Sequence, residues 1–436
     1  MPQYDINNNS YVERNNNLFD VFQQSDENGV LWNTRYNKDA WGRPKTVTDY
    51  SLFSATWSFS VPARLWEESS VNGVDIANPL YTPQSAFTKV TSREHMLSVK
   101  SGTVVDSGYA VRSKRFPKYQ PNRGHLMSTA AIMANANALG VRSFGLSCDH
   151  DGIYFQLEGT GTDWDIFAVR RLDGKLLDKI SVKSQLPEDF NPGLGHVYDI
   201  QYQWRGVGNY YFYIDLKLVA EFNLLGKLST LSIHDPARPI EYCSICKEAG
   251  TEVEINSGCV DISSEGGTQD RNIFSEIDTG DGLLNMGTAN TDTAVIAMRV
   301  PRYLTYNGQP HNNSRGVITD KLVTWTRDEA LTKAFIFRDL TAPNIEGLPW
   351  LSVPDSPFNY LVGGDTSALN TAFGLDNANG QKIINEWADV DLKNIISNPG
   401  KNSDFYLTPG DILIITVAPI TTNVKSSASL YMSEEL

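Results

Sequence analysis

Residues 196–222, HVYDIQYQWRGVGNYYFYIDLKLVAEF, constrain the fold more than any other stretch of the chain. Tyr198, Ile200, Tyr202 and Trp204 alternate with Asp199, Gln201, Gln203 and Arg205, so one face of a strand is aromatic and the other polar. Gly206-Val207-Gly208-Asn209 supplies turn chemistry, and Tyr210, Phe212 and Ile214 then resume the period of two. Apolar residues at 216, 218, 220 and 222 predict a third strand that returns at once. Period two, aromatic enrichment and a Gly/Asn turn specify an antiparallel meander with a buried face. Its aromatic face is accounted for by packing, and Asp215, the acid of the second strand, falls in a turn. The meander therefore reads as the wall of a sandwich and not as the floor of a cleft.

The same texture runs from Asp39 to about Gly267. Trp57, Phe59 and Val61 alternate up to Pro62, and Gly152–Glu158 and Trp164–Val169 flank a Gly/Thr/Asp turn. Thr251–Ile255 alternates again. Many short strands with closely spaced turn signals indicate an all-β antiparallel sandwich over residues 39–267. The Ala-rich run Met127–Leu139 has helical propensity, but its neighbours favour a strand pair joined by an Asn turn. Ser263-Ser264-Glu265-Gly266-Gly267-Thr268 reads as a linker, and residues 268–436 as a second β-rich domain. In that domain, residues 381–395 are the best helix candidate, with Ile383, Ile384, Trp387 and Val390 near helical spacing. Residues 1–38 are Asn-rich and lack periodicity, which predicts an extended arm. Its aromatics Tyr4, Tyr11, Phe19, Phe22 and Trp32 are the candidate docking residues toward a neighbouring subunit.

Charge narrows the partners. Lys plus Arg is 37 against 51 Asp plus Glu, a net charge of −14, which disfavours a nucleic-acid footprint. Arg112, Lys114, Arg115 and Lys118 form a local basic cluster, read as a solvated loop. No apolar run is long enough to span a bilayer, and MPQYDINNNSYVERNNN lacks the basic-then-apolar order of a secretory signal. Four cysteines in so long a chain suit a reducing compartment.

Tests for chemistry return little. Cys243-Ser244-Ile245-Cys246 has metal-knuckle spacing, but Cys148 and Cys259 do not form a second pair, and i and i+3 on a strand face opposite ways. The six histidines show no i,i+4 pair and no Gly-x-Ser-x-Gly elbow accompanies them. His125 is read as a hydrogen-bonded structural residue. Residues 375–386 approach an EF-hand loop, but Leu375 stands at its first ligand position. No cofactor is expected.

Two resemblances add to this. Trp204, Gly206, Phe212, Tyr213, Ile214, Asp215 and Val219 resemble the W-x-G-x-x-x-F-Y-V-D-G-x-x-V segment of concanavalin-type lectin and glycosidase jelly rolls, with Leu216 in place of the usual Gly. That class, where it is catalytic, carries E-x-D-x-x-E on a strand. The nearest text is Glu276-Ile277-Asp278-Thr279-Gly280-Asp281, which lies beyond the jelly-roll region and ends in Asp. Further blocks resemble virion structural proteins of tailed bacteriophages, of the marine and cyanobacterial type. They are Asp39–Pro44, Tyr119–Leu126, Arg142–Leu146, the meander and Gly258–Gly267. This second resemblance implies a non-enzymatic particle component, a capsid decoration, fibre or tail-associated protein, assembled in the host cytoplasm. Other virion proteins and a homo-oligomer, trimer or dimer, are the implied partners. The alternatives are a receptor-recognition module holding host glycan on aromatics such as Trp164 or Tyr211, and a depolymerase using Glu276, Asp278 or Asp281.

Overall fold

The computed structural model describes residues 49–265 and 272–435, apart from internal segments of which 84–89, 338–346, 377–380 and 387–405 are the longer. It also describes the backbone of two short pairings near the start, Tyr4–Asp5 with Ser10–Tyr11 and Gln23–Ser25 with Leu31–Asn33. Tyr4, Tyr11 and Trp32 therefore sit on short antiparallel strands, while Phe19 and Phe22 lie outside the described residues, as does the block at 39–44. The chain divides into two compact units. The first comprises residues 1–61, 68–112 and 119–269, and the second comprises 62–67, 113–118 and 270–436. Among the described residues no helix is long and apolar enough to cross a membrane.

Among the described residues, the first unit contains a jelly-roll sandwich built from sixteen strands. In chain order they are β1 (Asp49–Thr56), β2 (Trp66–Asn72), β3 (Leu80–Pro83), β4 (Val90–Arg93), β5 (Met96–Lys100) and β6 (Ser107–Ser113). Next come β7 (His125–Ile132), β8 (Gly140–Ser147), β9 (Gly152–Gly159), β10 (Trp164–Leu172) and β11 (Lys175–Ser181). The set closes with β12 (His196–Tyr202), β13 (Tyr210–Ile214), β14 (Lys217–Phe222), β15 (Ile240–Cys246) and β16 (Glu254–Glu265). Sheet one has the order β11-β10-β9-β8-β15-β6-β2-β3, and sheet two β14-β13-β12-β7-β16-β5-β4, with β1 also pairing with β16.

The inner faces meet through aromatic rings. Phe144 and Phe155 of sheet one lie 4.9 and 5.2 Å from Tyr198 of sheet two, and Phe155 lies 5.2 Å from Phe212. Thr129 Oγ1 and Tyr242 OH bridge the sheets at 2.7 Å. Edge-to-face rings at such distances add to the burial that already dominates a sandwich core.

The meander forms as expected, with two differences. Asp199 and Gln201 are buried as well as Tyr198 and Ile200, so β12 is covered on both faces. Leu216 and Leu218 are exposed, because a bulge between Phe212 and Tyr213 shifts the register before Val219, Ala220 and Phe222 turn inward. Gly208 is required in the preceding loop: a Cβ there would lie 1.9 Å from the Gln203 carbonyl oxygen. The Ala-rich segment is also extended, but its two strands do not pair with each other. The 134–139 turn carries the chain from β7 in sheet two to β8 in sheet one. Buried Arg142 holds that turn by donating to the carbonyls of Ala134 and Asn135 at 2.9 and 2.6 Å.

The second unit is also β-rich. One sheet has the order β17 (Asn272–Asp278), β29 (Val424–Glu435), β22 (Val317–Thr326), β27 (Tyr406–Leu407), with β18 (Leu284–Met286) pairing with β29. A second has the order β24 (Leu351–Ser352), β25 (Asn359–Val362), β19 (Thr293–Arg299), β28 (Ile412–Pro419), β23 (Ala330–Phe337), β26 (Gln381–Glu386). A separate hairpin joins β20 (Tyr303–Tyr306) to β21 (Gln309–Asn312). Ile296, Met298, Leu413 and Ile415 pack toward Val424, Leu430 and Met432. Ala294, Ala297, Ile412 and Ile414 face the helix α1 (Ala368–Asp376) through Leu369, Ala372 and Phe373. Burial on both faces explains why β28 reads as an unbroken apolar run.

The helix expected over 381–395 is corrected. Residues 381–386 are β26, in register with β23 (Ala334 opposite Ile384), and 387–395 lie outside the described residues. The unpaired edge of a sheet outweighs a local helical spacing. The helix sits earlier instead, where the Ser367 hydroxyl caps it by accepting from the Asn370 N–H at 3.0 Å.

Candidate functional site

Strand β9 floors a concavity on the outer face of sheet one. Ile153, Phe155 and Leu157 point into the core, which leaves Tyr154, Gln156 and Glu158 on the outer face of sheet one. Gly145 of β8 lies opposite Tyr154, and a Cβ there would come within 2.6 Å of it. The loop after β2 supplies one wall with Val74, Asp75 and Ile76, while Leu176 and Lys179 of β11 supply the other. Between them lies a groove of about 410 Å³ floored by Tyr154, Gln156 and Glu158. The Glu158 carboxylate accepts from Gln156 Nε2 at 2.5 Å and from Lys179 Nζ at 2.7 Å. The Lys179 ammonium also rests 3.9 Å from the centre of the Phe167 ring. The groove thus offers a carboxylate, an ammonium and an amide between aliphatic rims.

Beside it, toward the centre of the face, runs a buried charge network. Arg112 donates from Nε and Nη2 to Glu241 Oε2 at 2.9 and 2.6 Å, and Tyr81 OH donates to Oε1 at 3.2 Å. The Arg112 guanidinium lies over the Tyr81 ring at 5.0 Å. Arg171 lies 5.6 Å from the Tyr154 ring centre and donates to Ser147 Oγ and the Cys148 carbonyl. Burial, reinforced by Glu241, holds the Tyr81 phenol well above its ordinary range, and burial pushes up the Cys243 thiol beside it. These groups hold the sheet rather than face solvent.

Glu158 and Glu241 do not form a hydrolytic pair. Register places Glu158 level with Val141 and Ile245, and Glu241 level with Gly145 and Tyr154. That is two strands across and four residues along, about 16 Å between backbones by ordinary sheet spacings. Carboxylates in retaining or inverting glycosidases stand roughly 5 to 9.5 Å apart.

The residues singled out from the sequence fall elsewhere. Glu276 and Asp278 are on the exposed face of β17 in the second unit, Asp281 lies outside the described residues, and the Tyr431 phenol is raised by its hydrogen bond to Glu276. Cys243 and Cys246 are free and buried on opposite faces of β15. The basic cluster is not a solvated loop, since Arg112 and Lys114 are buried. His125 is structural: Tyr119 and Tyr202 stack on either side, the Gln120 N–H donates to Nε2 at 3.0 Å, and burial lowers its pKa to about 4. Trp164 is capped by the Lys183 ammonium at 4.7 Å and Tyr211 is half-buried beside Asn209; neither lines the groove. Asp151, Asp173 and His234 cluster with metal-like spacing, but Asp151 Oδ2 already accepts from Arg238 at 2.9 Å and from the His234 N–H at 3.0 Å. That knot ties three loops together. Sequence reasoning placed the β9 strand but gave Tyr154, Gln156 and Glu158 no role; their polar alternation within an apolar strand was the available signal.

Comparison with known proteins bears on the fold. No family model and no curated protein matches the sequence. Similar solved structures include an endo-1,3-β-glucanase from Streptomyces sioyaensis, 9% identical with a TM-score of 0.39. That match covers 50% of this chain and 97% of the other. The catalytic domain of a laminarinase from Thermotoga petrophila is 11% identical with a TM-score of 0.36, covering 51% and 100%. An endo-β-1,3-glucanase from Pyrococcus furiosus is 12% identical with a TM-score of 0.37, covering 51% and 97%. At these identities the likeness concerns the fold alone. The expectation of a non-enzymatic virion component is corrected accordingly: what the findings support is a jelly-roll fold of the kind seen in glycoside hydrolases. The physical reason lies in what the blocks behind that expectation do in the fold. His125, Arg142, Phe144 and the meander are core and turn residues, so the sandwich accounts for their pattern.

Proposed function

We propose that the groove on the outer face of sheet one binds a polysaccharide chain. The observation that carries this is the groove's lining: Glu158, Lys179, Gln156 and Asp75 set among Val74, Ile76 and Leu176. Sugar rings present hydroxyls that charged and amide groups bind in pairs, and C–H faces that aliphatic rims cover. The test is calorimetric titration with β-1,3-glucan, mixed-linkage glucan and mannan oligosaccharides, with reducing ends assayed in the same mixtures. Binding that falls about tenfold or more in Glu158→Ala supports the proposal, a loss in line with removing a charged hydrogen-bonding partner. A wild-type protein that binds none of them, and stays blank on a broad glycan array, would refute it.

A further inference from the structure

We infer that Lys247 is a positioning residue for the groove, pinning the loop that forms one of its walls; this rests on the glycan-binding reading above. Val74, Asp75 and Ile76 belong to the connection between β2 and β3, strands at the far edge of sheet one from β9. To line a groove floored by β9, that connection must cross the outer face over β6, β15 and β8. Ile76 shows the crossing, packing against Val71, Ala110, Val141, Cys243 and Ile245. Val74 is 77% exposed, so apolar burial does not fix the start of the loop.

Polar contacts fix it instead. Lys247, the residue after β15, donates from Nζ to both the Gly73 carbonyl and the Asp106 carboxylate. The Gly73 N–H donates to the Asp106 carbonyl at 2.5 Å, and the Asp106 N–H donates to the Cys246 carbonyl at 2.8 Å. Asp106 holds φ +61, a left-handed conformation that Asp and Asn tolerate best among non-glycine residues. Gly73 is pressed onto the sheet, since a Cβ there would lie 2.8 Å from Ile245 Cδ1. One ammonium therefore joins the loop's first carbonyl, the 103–106 turn and the end of β15.

Two readouts test this. Hydrogen exchange in the free protein should quicken at the amides of residues 74–76 in Lys247→Met. Unchanged exchange there overturns the pin whatever the groove binds. Titration with laminarihexaose should show about tenfold weaker binding in Lys247→Met and Asp106→Asn, as for a misplaced binding wall. Lys247→Arg should restore binding, while Lys100→Met, which removes a surface pair with Glu252, should match wild type. Equal melting temperatures across the set would separate positioning from loss of fold. Undiminished or tighter binding in Lys247→Met would overturn the inference, the latter by showing the loop to be a cover. A wild-type protein that binds neither laminarihexaose nor any glycan of the panel and array above, with exchange quickened as expected, would leave the pin standing and remove the groove reading.

Discussion

The two outer faces of the sandwich solve the same problem differently. On sheet two, polar side chains satisfy one another across neighbouring strands. Ser128 donates to Asp199 at 2.5 Å, Ser51 to Asp261 at 2.5 Å, and Tyr213 to Gln201 at 3.2 Å. On sheet one, full charges are paired in the buried centre, and a connection crosses above them to leave a groove at one side. A hydroxyl–carboxylate ladder leaves a flat surface. A face crossed by a loop acquires walls, and its charges become anchors for what lies over them. Concavity in this sandwich thus comes from a connection and not from sheet curvature alone.

The charge pairing of sheet one hinges on Arg112. Its side chain and that of Glu241 are 8% and 4% exposed, so Arg112→Met leaves a buried carboxylate without its main partner. We expect a loss of about 3–5 kcal/mol in denaturant unfolding. A cost below about 1 kcal/mol would show that sheet one does not depend on its charges. Next comes His125, buried between Tyr119 and Tyr202 on the sheet-two side. Its folded pKa near 4 lies below the ordinary 6.5, so the unfolded chain binds the proton more readily. Stability is therefore full above about pH 6.5 and falls as pH drops toward 4, by roughly 3 kcal/mol from this group. His125→Phe should flatten that slope in melts across the window, and an unchanged slope would exclude His125 as its source.

Glu158→Ala should cost no more than about 1 kcal/mol of stability, because it and Lys179 are each 27% exposed and solvent screens the pair. Its effect belongs in glycan affinity, and a large drop in melting temperature would recast Glu158 as structural. Ser128→Ala should cost about 1 kcal/mol, the ordinary worth of one hydrogen bond, and should leave glycan binding untouched. Altered binding in that variant would mean that the flat face also takes part.

Much of the fold was legible because period-two alternation is a local property. Tyr198, Ile200, Phe212 and Ile153 announce their inward faces within a few residues of sequence. The site was not legible, because strand order is not local. Arg112 and Glu241 meet only because β15 inserts between β6 and β8, and nothing near either residue signals that neighbour. The same blindness misplaced the helix. Leu369, Ala372 and Phe373 carry a genuine i, i+3, i+4 stripe, whereas Ile383 and Ile384 only imitate one before a sheet edge claims them.

The pairing of β1 with β16 sets a timetable for the ribosome. Thr56 must find Cys259, and Asp49 must find Glu265, roughly 200 residues downstream. At translation speeds of about 5–20 residues per second, β1 waits some tens of seconds for its partner. Throughout that interval an eight-residue strand stands with open backbone hydrogen-bonding groups. Its mixed sequence, DYSLFSAT, with an acid at one end and serines at intervals, suits a segment that must stay unattached until sheet two can close.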